Sequence, residues 1–334
     1  MNTLPTNTPC EVVQEPDKVK TNLFSDAGSP FDDADADVIV RSYDCVDFFL
    51  YRIILAKASA VFAEMLQSAQ EDATFRNGLY IIHAMEDAKT LSSLFRLIYP
   101  VDNPAFAEIS EIKAVFKAMR KYRVRGLDWT ANCILQGFAS EAPEVVYAIA
   151  CGFQMPNAAR FAAKHTLRQL SPFLPLTDEE VSMMTALQYS RLLRYQSACR
   201  DVALSIVDQF ILEIASKTSV PWIRLSEASN GAKVPVGCRC VQKGYQARGK
   251  AVVGPEWFFT HVAECRATLS KSPLGNMVMA QTLSLSNSIP CACPGCCKIP
   301  TREVWAFAKA FGAAVDRVVE AVRSLAGKHS DSID

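Results

Sequence analysis

Residues 37–65 read DVIVRSYDCVDFFLYRIILAKASAVFAEM, and a change of period inside this stretch decides the fold. Val38-Ile39-Val40 is a β-branched run, and the polar turn Arg41-Ser42-Tyr43-Asp44 separates it from Val46-Asp47-Phe48-Phe49-Leu50. Two β-rich runs around a turn predict a hairpin. Ile54, Ala58, Val61 and Met65 then recur at helical spacing, which predicts one amphipathic helix over residues 52–67. Asn77-Gly78 marks a turn before a third strand, Leu79 to Ile82. Leu91, Leu94, Phe95 and Ile98 share a helix face that stops at Tyr99-Pro100, because a proline ring blocks continuation. Two more helix faces follow, Ile112-Val115-Phe116-Met119-Tyr122 and Leu127-Ala131-Ile134-Leu135-Phe138. The class is α+β: a short sheet capped by a helical cluster.

Working outward, residues 1–29 are polar and proline-dotted and read as a disordered tail, so the first domain is placed at 30–138. The acidic run Asp32-Asp33-Ala34-Asp35-Ala36-Asp37 lacks the glycine and terminal glutamate of a calcium loop, and reads as keeping a sheet edge soluble. Residues 139–216 show helical patterns only. Pro143 and Pro156 suit first helical turns, and Thr177-Asp178-Glu179-Glu180 has capping-box spacing. A cysteine-rich region with two helices is expected over 217–327, and a short tail over 328–334. Its first helix starts at Pro255 with the stripe Phe258, Val262, Cys265 and Leu269. Its second carries Val304, Ala308, Phe311, Val315, Val318, Val322 and Leu325, a narrow coiled-coil-like stripe.

The chain has 334 residues, half of them hydrophobic, with 35 basic and 35 acidic side chains. Real cores can form, and no global field draws the protein to nucleic acid or anionic membrane. No apolar h-region or membrane-length apolar run is visible. The expected compartment is therefore reducing, cytoplasmic or nuclear, where metal binding is a better use of clustered cysteines than disulfides. A Gly-rich phosphate loop, G-x-S-x-G and H-E-x-x-H are all missing from the sequence, so no enzyme is expected.

The order strand pair, helix, third strand, three helices resembles the BTB/POZ domain. Phe48 to Phe62 is similar to that family's F-x-x-H-K-x-x-L-A-x-x-S-x-x-F signature, with Tyr51 for the usual His and Arg52 for the usual Lys. Leu94 to Pro100 resembles its helix ending in Tyr-Pro, and Ala118 to Val124 its A-x-x-K-Y-x-V stretch. Phe31 to Asp37, Val146 to Cys151 and Arg191 to Tyr195 look closest to the BTB proteins of mushroom-forming fungi. The resemblance implies function by contact: a self-associating adaptor or scaffold, with a homodimer interface around Val38, Val40, Ile54, Ala58 and Val61. It also implies a possible cullin partner. Members that dock cullin carry a hydrophobic-x-Glu motif; the nearest counterpart here is Ala69-Gln70-Glu71, where alanine is a poor anchor.

The strongest chemical signal is Cys293-Pro294-Gly295-Cys296, a knuckle whose spacing suits half of a tetrahedral zinc site. Cys238-x-Cys240 is the natural other half, and such a site would staple a polar segment with little other reason to fold. Cys291 and Cys297 are alternative ligands. His261 and Cys265 lie four apart on one helix, but Cys265 sits on the apolar stripe and reads as a small buried hydrophobe. Arg239, Lys243, Arg248 and Lys250, with Tyr245, support an alternative: a zinc-containing nucleic-acid-binding transcriptional regulator dimerised by its BTB domain. A solvated loop around a metal knuckle explains those residues as well, so nucleic acid is the less favoured partner.

Overall fold

A computed structural model describes residues 24–68, 74–171, 174–217, 220, 222–226, 239–285, 293–296, 299 and 301–328. The chain divides into two compact units between Trp129 and Thr130.

The first unit comprises β1 (Ser25–Asp26), β2 (Val38–Arg41), β3 (Val46–Leu50), α1 (Arg52–Ala58), α2 (Ala60–Gln67), β4 (Phe75–Arg76), β5 (Leu79–His83), α3 (Ala88–Ile98) and α4 (Ile109–Lys121). The unit boundary falls inside α5 (Asp128–Phe138). The expected hairpin is present, with Val38 opposite Leu50 and Val40 opposite Phe48, and β5 joins β2 in parallel. The sheet order is β1-β3-β2-β5-β4. Ordered structure starts before the expected Pro30, since Ser25–Asp26 pairs with Val46–Asp47. That strand is only two residues long, too short for a periodic signal.

The helix expected over 52–67 is broken at Ser59, whose backbone is extended (φ −135°, ψ 125°). Ser59 Oγ accepts from the Phe62 N–H at 3.0 Å, so it N-caps α2, and its hydroxyl donates to the Tyr122 carbonyl. Ser59 also forms a β-bridge with Val124. Apolar spacing runs through the break because both helices bury their stripe in one core. Phe48, Leu55, Phe62, Leu91, Leu94 and Phe95 are fully or almost fully buried there, and Phe62 stacks on Tyr122 at 4.4 Å.

Beneath the sheet's outer face runs a charged network. Asp47, with no side-chain exposure, accepts from Arg41 at 2.5 and 2.8 Å and from Arg76 at 2.6 Å. Arg76 also pairs with Asp26, so the network joins β1, β2, β3 and β4. Burial opposes ionisation of Asp47, but the two guanidiniums outweigh it and hold its carboxyl below the ordinary range.

The second unit continues through α6 (Pro143–Gly152), α7 (Pro156–His165), a 3₁₀ turn (Thr166–Arg168), α8 (Asp178–Ser182) and α9 (Ala186–Ser216). Both prolines sit in first turns as expected, and Thr177–Glu180 makes its capping box. Thr185–Gln188 makes a second one, which starts α9. Beyond come β6 (Arg224–Leu225), β7 (Gln242–Ala247), β8 (Lys250–Pro255), α10 (Glu256–Lys271), α11 (Gly275–Leu285) and α12 (Thr301–Lys328).

Three features here depart from expectation. A three-stranded antiparallel sheet, β6-β8-β7, lies in the region expected to hold two helices, where no strand was foreseen. Its hairpin turns at Arg248-Gly249, both at positive φ (45° and 79°), the primed-turn geometry that suits strand twist. α11 is a third helix in a region expected to hold two. On α12, buried Phe307 and Val319 widen the expected narrow stripe to a globular one.

The segment between the cysteine pairs was expected to lack its own reason to fold. It has one: Val252, Phe258, Val262, Cys265, Leu269 and Val278 belong to a single core with residues of α9 and α12. α11 and α12 cross at Gly275 and Gly312, where a Cβ on Gly312 would lie 2.8 Å from the Gly275 carbonyl oxygen. Asp316 accepts the Gly275 N–H there at 2.8 Å.

Candidate functional site

In the first unit, α1 is a seven-residue helix on which Leu55 alone is buried. Ile53 is 64% exposed, and Ile54, Ala58 and Val61 are half-buried. Val38 and Val40, expected at the same interface, are fully buried in the unit's own core. They shape the hairpin that leads into α1 and offer no side-chain surface.

The acidic run does not guard an edge, because β1 and an isolated bridge at Asp32 cover β3 there. It organises the start of α1 instead. Asp37 accepts the Arg52 N–H at 2.6 Å, doing from a distance what an N-cap side chain does locally. Tyr51, standing where the family has His, donates its hydroxyl toward Asp35 at 2.7 Å and Asp33 at 3.0 Å. The hydrogen bond to Asp35 is the largest influence raising its phenol pKa.

The second unit contains a groove of about 720 Å³ between α6, α7 and α9, with Val322 of α12 also on its wall. Ala150, Met155, Ala159 and Leu192 supply apolar lining, while Arg160, Lys164, Arg191 and Arg194 supply positive charge. Among the described residues, none that lines it carries a carboxylate.

The cysteine knuckle lies immediately ahead of α12. Cys293 and Cys296 are buried, and Cys240, at the entry to β7, is half-buried. The sulfurs of these three residues all lie within 4.8 Å of one another, with Cys240 and Cys296 3.6 Å apart. The Arg239 N–H points at Cys293 Sγ from 3.4 Å. Burial works against the thiolate, but the N–H groups of Cys296, Arg239 and Gly295, with the Cys240 thiol, bring the Cys293 pKa down to about 5. Cys238, Cys291 and Cys297 lie outside the described residues, as does Ala69-Gln70-Glu71.

His261 and Cys265 do meet, with Nε2 3.2 Å from Sγ, and Thr282 Oγ1 3.1 Å from the same nitrogen. Both are buried away from the knuckle's three sulfurs. Burial pushes the Cys265 thiol up to about 12 and the His261 imidazole down. The pair is thus held neutral, the opposite of a thiolate–imidazolium nucleophile. In the basic segment, Lys243 pairs with Glu256 at 2.5 Å. Tyr245 stacks on Phe259 and donates to Asp208, so its ring is not presented to solvent bases.

The first unit, a small mixed sheet with a helical cluster on it, has the architecture of a protein-interaction domain. Residues 31–138 match the family model for the BTB/POZ domain, and this segment is a BTB/POZ domain followed by a largely helical region. No curated protein matches the chain. Among the described residues no helix is long and apolar enough to cross a membrane.

Proposed function

We propose that the protein is a self-associating adaptor whose BTB/POZ domain pairs with a second copy through α1. The observation that supports this most is Ile53, a large aliphatic side chain left 64% exposed beside half-buried Ile54 on that helix. Full burial of one such side chain contributes about 1.5–3 kcal/mol. Self-association is common among BTB domains, and the motifs at Phe31–Asp37 and Val146–Cys151 support kinship with the fungal members. Sedimentation equilibrium should find a wild-type dimer. Ile53→Asp should weaken it at least about tenfold while leaving the circular dichroism unchanged. A wild-type chain that stays monomeric at high concentration overturns the reading.

The partner surface is the groove on the helical unit. Its apolar floor and four cations, with no carboxylate lining it among the described residues, complement an acidic amphipathic helix of another protein. A labelled synthetic peptide with a leucine face and glutamate borders should bind the full chain, more weakly as salt rises. Arg191→Glu with Arg194→Glu should abolish that binding. Equal binding of a lysine-bordered peptide would show that the groove does not select by charge.

A further inference from the structure

We propose that Cys240, Cys293 and Cys296 are ligands of one structural zinc ion that ties the entry of β7 to the lead-in of α12. The argument starts from distances. Zinc–thiolate bonds of about 2.3 Å in a tetrahedron set neighbouring sulfurs roughly 3.8 Å apart. The Cys240–Cys296 separation is 3.6 Å and the whole triad fits within 4.8 Å. Packing alone does not call for this. Among the described residues the other buried thiols, Cys199 and Cys265, lie in the second unit's apolar core and join no cluster of sulfurs.

The backbone supports the same ligand set. Cys293-Pro294-Gly295-Cys296 turns tightly, and the Arg239 N–H approaches Cys293 Sγ from a segment 54 residues away. Amides aimed at a coordinating sulfur stabilise its negative charge and fix its direction, as outer-shell partners do in metal sites. The described residues supply three thiolates. Zinc completes its tetrahedron with a fourth protein ligand in closed structural sites.

The ion's contribution is to add a direct cross-link between two lengths of chain, 54 residues apart in sequence, that the hydrophobic core already brings near each other. Closing so long a loop carries an entropic cost that a bound metal offsets in the folded state. The site requires no oxidant and makes no covalent step. It is independent of the adaptor reading, since it concerns the integrity of the second unit and not what the protein contacts.

The test uses full-length chain carrying no polyhistidine tag, purified under reducing conditions in zinc-containing medium. Elemental analysis should return about one zinc per chain, the content of one tetrahedral site. Cys293→Ser and Cys296→Ser should each remove it, and Cys265→Ser should retain it. Cobalt loading should give the visible bands of tetrahedral thiolate coordination. Should the variants fail to fold, wild-type protein still decides the matter by alkylation and mass mapping. Cys240, Cys293 and Cys296 should be shielded until a chelator is added, then become reactive together. Metal at the buffer blank, a Cys240–Cys296 disulfide in freshly reduced protein, or alkylation indifferent to chelator would each overturn the proposal.

Discussion

Asp47→Ala is expected to destabilise the BTB/POZ unit by about 3–5 kcal/mol, the range for removing one partner of a buried ion pair. The size follows from what remains. Arg41 is 8% exposed and makes both of its side-chain bonds in this network to Asp47. Without the carboxylate, a guanidinium stays buried among β-strands with its charge uncompensated, and Arg76 keeps only Asp26. Urea unfolding followed by circular dichroism should show the lowered midpoint. Asp47→Asn should lie between wild type and alanine, since an amide accepts hydrogen bonds but not charge. Acid should mimic the mutation. The Asp47 carboxyl is held below its ordinary 3.8 in the folded chain, so its contribution is complete above that value. It is lost as pH falls through the lower folded value. The wild type should therefore lose stability on acidification that Asp47→Ala has already lost. A midpoint shift under about 1 kcal/mol, the scale of exposed pairs, would mean the network is solvated.

The second large effect is expected at Phe258. It has no exposure and stands edge-on to Trp257, Phe259 and Phe307, at centroid distances of 6.1, 5.5 and 5.9 Å. Truncation to alanine should cost about 3–5 kcal/mol, because a close-packed core refills the void only in part. Trp222 and Trp257 border the same cluster, so their fluorescence reports the loss directly. Phe258→Leu should recover most of the stability. An alanine variant that unfolds at the wild-type midpoint would show that this aromatic group contributes little.

The BTB/POZ unit was legible because its strands and helices alternate in period, and each apolar stripe faces one core. Ser59 escaped that reading: hydrophobic spacing is blind to a break when the residues on both sides still bury. Its N-cap chemistry was the available signal, a serine three residues ahead of Phe62. The β7–β8 hairpin was hidden for a different reason. Its first strand exposes Gln242, Lys243, Gly244 and Gln246, so the alternation that marks a half-buried strand hardly develops. Arg248-Gly249 was the local clue. Gly275 and Gly312 carry no periodic signal, yet at them the backbones of α11 and α12 come into contact. At the cysteines, the Pro-Gly knuckle and Cys240 were visible from spacing. That they converge depends on a core assembled from distant segments, which spacing does not encode. Ile53 was passed over because the helical stripe was traced through Ile54, and an exposed isoleucine gives no periodic signal.

The joint at Ser59 also dictates when the first unit can exist during synthesis. Its hydroxyl and its bridge find their partners at Tyr122 and Val124, some sixty residues later, and β2 awaits β5 as its parallel neighbour. A ribosome that has extruded only β1 through α2 presents two short helices whose core still lacks the side chains of β5, α3 and α4. The polypeptide must therefore pass through a vulnerable interval until α4 emerges, and chaperone occupancy of nascent chains should fall abruptly there.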